Sequence, residues 1–323
     1  MASTNIQPAH STGFDWREAG LRYFSLGHYL RRQFGQRVWK VSVDGHFNCP
    51  NVDGTVATGG CVFCNIKSFS PSRRLHKRSI TEQINEGISR IRRRNKVGRF
   101  LAYFQPATNT YAPVAQLRGL YEEAIAHPEV VGLAIGTRPD CVANEVLDLL
   151  AELSQRVWLS IEYGVQTIHD RSLDWMNRGH HYAASLDALE RTRKRGLHAG
   201  VHLILGIPGE SREDMIATAR EMARLGVDAV KIHNLYAVRG TLLAGWVGTG
   251  EVKLPTLAEY ARMVSDVLER LPPHCVIDRI GGDAPPEYLV APQWCLDKAG
   301  VRQAVDDELA GRNTWQGRLY QMP

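Results

Sequence analysis

The chain contains no run of about 18 apolar residues, so no membrane-spanning helix and no membrane partner are expected. Its first twenty residues, Met1 to Gly20, are polar and lack an apolar h-region, which argues against a secretory signal. Ser- or Pro-rich low-complexity stretches are absent, and nothing reads as a linker between domains. Cysteine is scarce, six in 323 residues, which is no basis for a disulfide scaffold. No catalytic triad or carboxylate dyad stands out. Without an export signal, a reducing cytoplasm is the expected location. There a close cysteine pair reads as metal-binding or redox-active rather than as a structural bridge. Charge is only mildly biased, at net +5, which permits a polyanionic partner without requiring one.

What the chain does have is an apolar content of 44%, enough for a substantial core, and a rhythm. An amphipathic stretch over residues 14–34 reads as a helical lead-in, giving a first unit over 1–35. Val38 to Val43 alternates as a short strand. Helices are then expected over Ile80–Arg94, Val114–Ala126, Val142–Leu153, Ala183–Arg195, Asp214–Leu225 and Leu257–Leu271. Strands are expected between them, over Arg99–Phe104, Val130–Ile135, Val157–Ile161, Leu197–Leu205, Ala229–Ile232 and Val276–Ile280. Strands alternating with helices imply βαβ units and a parallel sheet. So many units in succession favour an α/β fold of the partial parallel (β/α) TIM-like barrel kind, over residues 36–280. Residues 281–323 lose the rhythm, and Pro285, Pro286, Pro292, Trp294 and Trp315 suggest an irregular extension packed on the barrel.

Between the first strand and the first regular helix lies the densest chemistry. Cys49, Cys61 and Cys64 read C-x11-C-x2-C, and Gly54, Gly59 and Gly60 lie in the gap. Three thiolates at this spacing suit an iron–sulfur cluster that needs one further ligand. Glycines there allow positive φ and a close backbone approach, with N–H groups free to face anionic sulfides. A zinc site using Cys49, Cys61, Cys64 and His46 is an alternative, as is a redox pair of Cys61 and Cys64 alone.

Phe63, between the paired cysteines, adds a further sign. The segment resembles the radical S-adenosylmethionine (SAM) superfamily, whose signature closes on cysteine, any residue, aromatic, cysteine. The resemblance implies a 4Fe–4S cluster on Cys49, Cys61 and Cys64, SAM on the fourth iron, and an aromatic side chain beside the adenine. It also implies an external one-electron donor of flavodoxin or ferredoxin type. A first gap of eleven residues, where three is frequent, narrows the likeness to a subgroup. Later segments extend it: Thr137-Arg138-Pro139-Asp140, Glu162-Tyr163-Gly164-Val165-Gln166-Thr167, Met176-Asn177-Arg178-Gly179-His180, Gly206-Ile207-Pro208-Gly209-Glu210 and Lys231-Ile232-His233. In this order they resemble the radical SAM core of the Elongator catalytic subunit and its small bacterial relatives of the YhcC type. The likeness runs over about residues 20 to 320, including Tyr103-Phe104-Gln105 and Ala291-Pro292-Gln293-Trp294. Most of these motifs close an expected strand, at the barrel rim that carries active sites.

By this resemblance, Gln166 and Arg178 occupy positions that reach SAM in oxygen-independent coproporphyrinogen dehydrogenases. Arg178 would pair with the methionyl carboxylate. Gly206 to Gly209, with Ile207 and Gly209, would run beside the adenine, and Ser160 and Glu162 would face the ribose hydroxyls. Two departures stand out. Gln105, Thr108 and Asn109 replace the usual Gly-Gly-Glu that holds the SAM amine, and Gly136 replaces Elongator's glutamate before Thr137. The implied reaction is one-electron cleavage of SAM to a 5′-deoxyadenosyl radical that takes hydrogen from a substrate. The family likeness points to the wobble-uridine side chain of tRNA. With no counterpart of Elongator's acetyltransferase domain, a change to an existing side chain is the expectation. The alternatives are radical chemistry on a small metabolite or porphyrin-like substrate, and a non-catalytic iron–sulfur or zinc module.

The remaining residues have plainer readings beside these. His198, His202 and His233 fall on strands and read first as core histidines. Cys141, Cys275 and Cys295 read as small buried hydrophobes. Lys231 and His233 are candidates for contact with substrate. Of the basic runs, Arg92–Arg94 and Arg193–Arg195 suit helix C-termini. Arg73, Arg74, Lys77 and Arg78, which follow the cysteine loop, are the better candidates for phosphate contact.

Overall fold

A computed structural model of the chain describes residues 16–69 and 78–322. In chain order its elements are α1 (Leu26–Phe34), β1 (Val38–Val43), α2 (Ile66–Phe69), α3 (Ile80–Arg92), β2 (Arg99–Phe104), α4 (Val114–Ala126) and β3 (Val130–Thr137). Then come α5 (Asn144–Ser154), β4 (Trp158–Gln166), α6 (Asp170–Trp175), α7 (Tyr182–Lys194), β5 (His198–Leu205), α8 (Arg212–Leu225) and β6 (Ala229–Asn234). The last are β7 (Ala237–Val238), α9 (Leu242–Thr249), α10 (Leu257–Leu268), β8 (Val276–Arg279), β9 (Leu289–Ala291) and α11 (Lys298–Gly311). Seven strands form one parallel sheet in the order β1-β2-β3-β4-β5-β6-β8, each beside its predecessor, while β7 and β9 form a small antiparallel pair. Connections of this kind lay the helices on one face and curl the sheet, as in a partial TIM barrel.

The outer face of the sheet and the helices enclose the main core, with Phe104, Tyr121, Leu133, Ile161, Val201, Val230 and Tyr260 fully or almost fully buried. Helix ends follow local chemistry. Ser79, Ser211 and Thr256 each start a helix through a reciprocal cap with an acid three residues on. The barrel floor is closed by α1, whose Leu30 packs with Val38, Leu101 and Trp158.

The barrel interior above that floor is not apolar. Lys40 on β1 reaches Asp278 on β8 at 2.6 Å and Glu162 on β4 at 2.7 Å. These contacts join the two edge strands of the sheet through its middle. Lys231 on β6 adds Glu162 at 3.1 Å, Asp278 at 3.6 Å and the Tyr103 hydroxyl at 2.7 Å. His202 Nε2 lies 2.8 Å from the second Glu162 oxygen. Two cations and two anions thus neutralise one another where little solvent screens them. Burial works against the Glu162 charge, but Lys231 and Lys40 outweigh it and hold the carboxyl well below the ordinary range.

Two expectations change at the ends of the chain. Among the described residues the lead-in is helical only from Leu26. Before it, Ser25 bridges to Ile277 in parallel, and Phe24 packs with Trp16 and Val276, so this segment shields the free edge of β8 rather than extending the helix. The C-terminal extension has no βα rhythm, but it is not wholly irregular. Asp297 caps the 14-residue α11, whose Val301, Val305 and Leu309 are buried in the main core. Pro285, Pro286 and Pro292, which precede it, obscured that helix.

Two outcomes follow for stability. Lys40→Met strands Asp278 and part of Glu162 in the interior, so unfolding free energy drops by about 3 kcal/mol, measured by urea denaturation. Burial also lowers the pKa of His198, His202 and His233 from 6.5. The unfolded chain therefore binds more protons than the folded one just below pH 6.5. The histidine contribution is complete above that pH and falls away as pH drops, so the urea midpoint at pH 5.5 is lower than at pH 7.5.

Candidate functional site

The cysteine loop lies across the C-terminal ends of the strands. It is held by its own backbone and by the segment after β4. Cys49 O accepts from the Val52 and Asp53 N–H groups, and Asn51 O accepts from Gly60 N at 2.8 Å. Gly54, Gly59 and Gly60 all take positive φ. Two asparagines then clasp loop and barrel. Asn51 Nδ2 donates to Asn177 O, and Asn177 Nδ2 donates to Gly60 O at 2.8 Å and Thr58 O at 3.1 Å. Val62 N donates to Met176 O at 3.1 Å, and Leu243 N to Val62 O at 3.0 Å. Gly179, at φ +69°, leaves no room for a side chain, since a Cβ there would meet Asn51 Oδ1 at 2.6 Å. The Met176–His180 segment is therefore the seat of the cysteine loop.

The three cysteines line one wall of a cavity of about 210 Å³ at the strand ends. Among the described residues, no three His, Cys, Asp or Glu side chains converge as a lone metal ion would need. Arg178 lies behind the sulfurs, with Nη1 donating to Cys61 Sγ at 3.3 Å and Nη2 to Gly164 O at 2.9 Å. Arg138 forks onto Asp140 at 3.0 and 2.8 Å and donates to Arg178 O at 2.7 Å. Burial pushes the Cys64 thiol up, the neighbouring Cys61 and Cys49 push it further, and the two arginines pull it down. Burial, with Arg178 second, lowers His180 to about 4. Arg178 Nε and Arg138 Nη1 are buried without a hydrogen-bond partner. Buried donors in that state mark a place where a ligand completes the structure. The donor set fits a cluster and an anionic co-ligand: thiols that need a cation to ionise, next to guanidinium groups that need an acceptor.

Thr108, whose N–H donates to Asn48 O, and Gln166, beside Arg178, flank the cysteine side, and the rest of the lining is Tyr103, Gln105, His202, Lys231, His233, Tyr236, Arg279 and Asp283. His202 and His233 lie with ring centroids 5.4 Å apart. Arg279 pairs with Asp283 at the cavity edge. Phe63 lines the cavity and packs with Met176, Ile207 and Leu243.

Of the residues singled out in the sequence, Cys49, Cys61, Cys64, Phe63, Gln105, Gln166, Arg178, Lys231 and His233 come together around this cavity. Six others do not line it. Ser160 sits low on β4, six residues before its end, and bonds His198 Nδ1 at 2.8 Å. Glu162 faces the interior, where its oxygens are engaged by Lys40, Lys231 and His202, and it does not line the cavity. Asn109 is fully buried, and its amide donates to Phe104 O at 3.1 Å and Gly136 O at 2.7 Å, tying the ends of β2 and β3. Ile207 packs in a side core, and Gly209 turns at φ +84° beyond β5. Arg78 pairs with Glu86, while Arg73, Arg74 and Lys77 lie outside the described residues. Sequence reasoning missed the roles of Asn51, Asn177 and Arg138. The latter two stood inside quoted motifs, and only the contact between the two loops shows what they do.

Comparison with known proteins agrees with this geometry. Residues 54–222 match the Radical SAM superfamily, and residues 227–311 match the Radical_SAM C-terminal domain. The chain belongs to the radical SAM superfamily, whose members are enzymes using a 4Fe–4S cluster and SAM. Among relatives, it is 38% identical to uncharacterized protein YtqA of Bacillus subtilis over 95% of this chain and 96% of that one. It is 40% identical to protein YhcC of Escherichia coli over 84% and 87%. It is 30% identical to a tRNA uridine(34) acetyltransferase of Dehalococcoides mccartyi over 56% of this chain and 39% of that protein. The fold matches that of archaeal Methanocaldococcus infernus Elp3 with an N-terminal deletion, at a TM-score of 0.65 and 19% identity, over 86% of this chain and 64% of that one. No helix among the described residues is long and apolar enough to cross a membrane.

If the Met176–His180 segment seats the loop, Gly179→Ala disturbs cluster loading without touching a cysteine. Anaerobically reconstituted wild type carries roughly four irons per chain. Gly179→Ala is expected to hold less than half of that, and Cys61→Ala close to none, by iron assay and visible absorption.

Proposed function

We propose that this protein is a radical SAM enzyme that modifies an RNA base, with the wobble-uridine side chain of tRNA as the leading substrate. The observation that carries the catalytic part is the two-walled cavity: Cys49, Cys61 and Cys64 with two buried guanidinium groups on one side, and Tyr103, His202, Lys231 and His233 on the other. The RNA part rests on the partial likeness to a tRNA uridine(34) acetyltransferase.

The three cysteines would hold the cluster, with a one-electron donor of flavodoxin or ferredoxin type supplying its electron. When bound, cluster and SAM together supply a carbon-centred radical by one-electron cleavage of the sulfonium. The protein's own residues do the positioning. Arg178 and Arg138, each with a buried unpaired N–H, offer donors to the SAM carboxylate. Gln105 and Gln166 offer amides to its amine and ribose, and Phe63 lies where an adenine face can rest. Tyr103, Lys231 and His202 form a hydrogen-bonded set around Glu162, so the charges near the substrate are already paired and do not draw water into the site.

Two measurements test the reading. Cluster-loaded protein incubated with SAM and a strong reductant yields 5′-deoxyadenosine, and Arg178→Met cuts the yield at least tenfold. No product from loaded wild type would leave only a binding module. Nucleoside profiles of bulk tRNA from a deletion strain and its parent differ at a modified uridine, whereas an unchanged profile removes the RNA substrate.

A further inference from the structure

The end of the barrel opposite the cavity carries a charge pattern that the catalytic site does not use. Residues 19–43 contain five Lys or Arg and no Asp or Glu, and residues 87–121 contain seven and none. The fold brings these two stretches together. β1 and β2 pair with Val38 beside Arg99, and the Gln36 side chain comes to 3.5 Å of the Cβ position of Gly98. α3 lies tightly on β1, because Gly87 has no side chain where Val41 Cγ1 stands only 2.3 Å from its Cβ position. Arg31 and Arg32 occupy the last turn of α1, Arg37 follows that helix, and Arg90, Arg93, Arg94 and Lys96 lie at or beyond the end of α3. All are exposed. Among the described residues no carboxylate pairs with Arg31, Arg37, Arg90, Arg93, Arg94 or Lys96; Arg92 takes the neighbouring Glu129. Trp39, 40% exposed, shares the outer face of β1 with Val41 and stands beside this group.

Helix-dipole complementation accounts for cations in a last helical turn, such as Arg31 and Arg90. It extends to Arg93, the C-cap of α3, but does not account for Arg37, Arg94 and Lys96, which lie beyond the helix ends, nor for the lack of carboxylates over both stretches. A solvated protein surface mixes both signs, whereas a surface for a polyanion keeps one. We propose that this face is a docking site for the phosphate backbone of RNA, with Trp39 as a ring for an unpaired base or a ribose. The proposal rests on the RNA reading given above and specifies how such a substrate is held. The face lies about 20 Å from the cavity, the length of a six-residue strand. A mononucleotide does not span that distance. A folded RNA does, with its body on the basic face and one loop at the strand ends. Recognition of the polymer and chemistry on the base are thereby assigned to opposite ends of one barrel.

The test uses full-length protein and bulk tRNA. Arg31→Glu, Arg37→Glu, Arg93→Glu and Arg94→Glu are combined in one variant. A control variant reverses four exposed cations elsewhere, Arg193, Lys194, Lys253 and Arg262, and carries the same net charge. Fluorescence anisotropy against salt is expected to show at least tenfold weaker tRNA binding for the first variant. Its log–log salt slope falls by roughly three to four, close to one unit for each phosphate no longer neutralised. The control changes affinity less than threefold. Both variants still form 5′-deoxyadenosine from SAM at the parental rate, which shows that fold and site are intact. Equal losses in the two variants, or unchanged affinity and slope in the first, overturn the proposal. Retention on anionic vesicles that tRNA does not displace overturns it too. The substrate reading fails separately: an unchanged nucleoside profile with binding lost only in the first variant would refute the uridine chemistry and leave the docking face standing.

Discussion

The interaction on which the structure depends is the neutral cluster of Lys40, Glu162, Lys231 and Asp278 inside the barrel. A partial barrel has two free edges, and here Lys40 on β1 and Asp278 on β8 meet across the opening at 2.6 Å. Glu162 from the middle strand takes both lysines and His202. An apolar interior would pack the sheet, but it would not specify which edges meet. Paired charges do, because any other arrangement leaves one of them buried alone. Of these residues Lys231 also lines the cavity, so the charge cluster that sets the curl borders the site.

On that base, the catalytic wall is assembled from two loops that are far apart in the chain. Residues 49–64 carry the sulfurs, and residues 176–180 carry the groups that hold them. Asn51 donates to Asn177 O, Asn177 donates to Gly60 O and Thr58 O, and Arg178 donates to Cys61. The long first gap between cysteines is the length needed to reach this seat and fold back on it. The orphaned donors of Arg138 and Arg178 lie at the same place, where an anionic ligand would satisfy them.

The strands and helices of the barrel are legible in the sequence because each is buried in a regular way. β2 and β3 read as largely apolar runs, and α3, α8 and α10 start at Ser or Thr caps that can be seen in the chain. The cysteines and Phe63 are legible because metal chemistry restricts residue type and spacing. Alternation puts Ser160 and Glu162 on the inward face, which is correct, but leaves their height undefined. It reports the side of a sheet and says nothing of how far a residue lies from the strand end. The resemblance put Asn109 among the residues near the SAM amine, whereas its amide bridges Phe104 and Gly136.

By itself the sequence determined the class of fold, the family, and the three sulfurs with their neighbouring aromatic residue, since periodicity and motif spacing are local properties. Tertiary structure alone decided which polar residues face the cavity and which are consumed in holding the barrel shut. It also decided that Met176–His180 carries the cysteine loop, and that two acid-free stretches lie side by side. Those are contacts between residues tens of positions apart, and no local pattern encodes which of several possible partners a buried charge or an amide will meet.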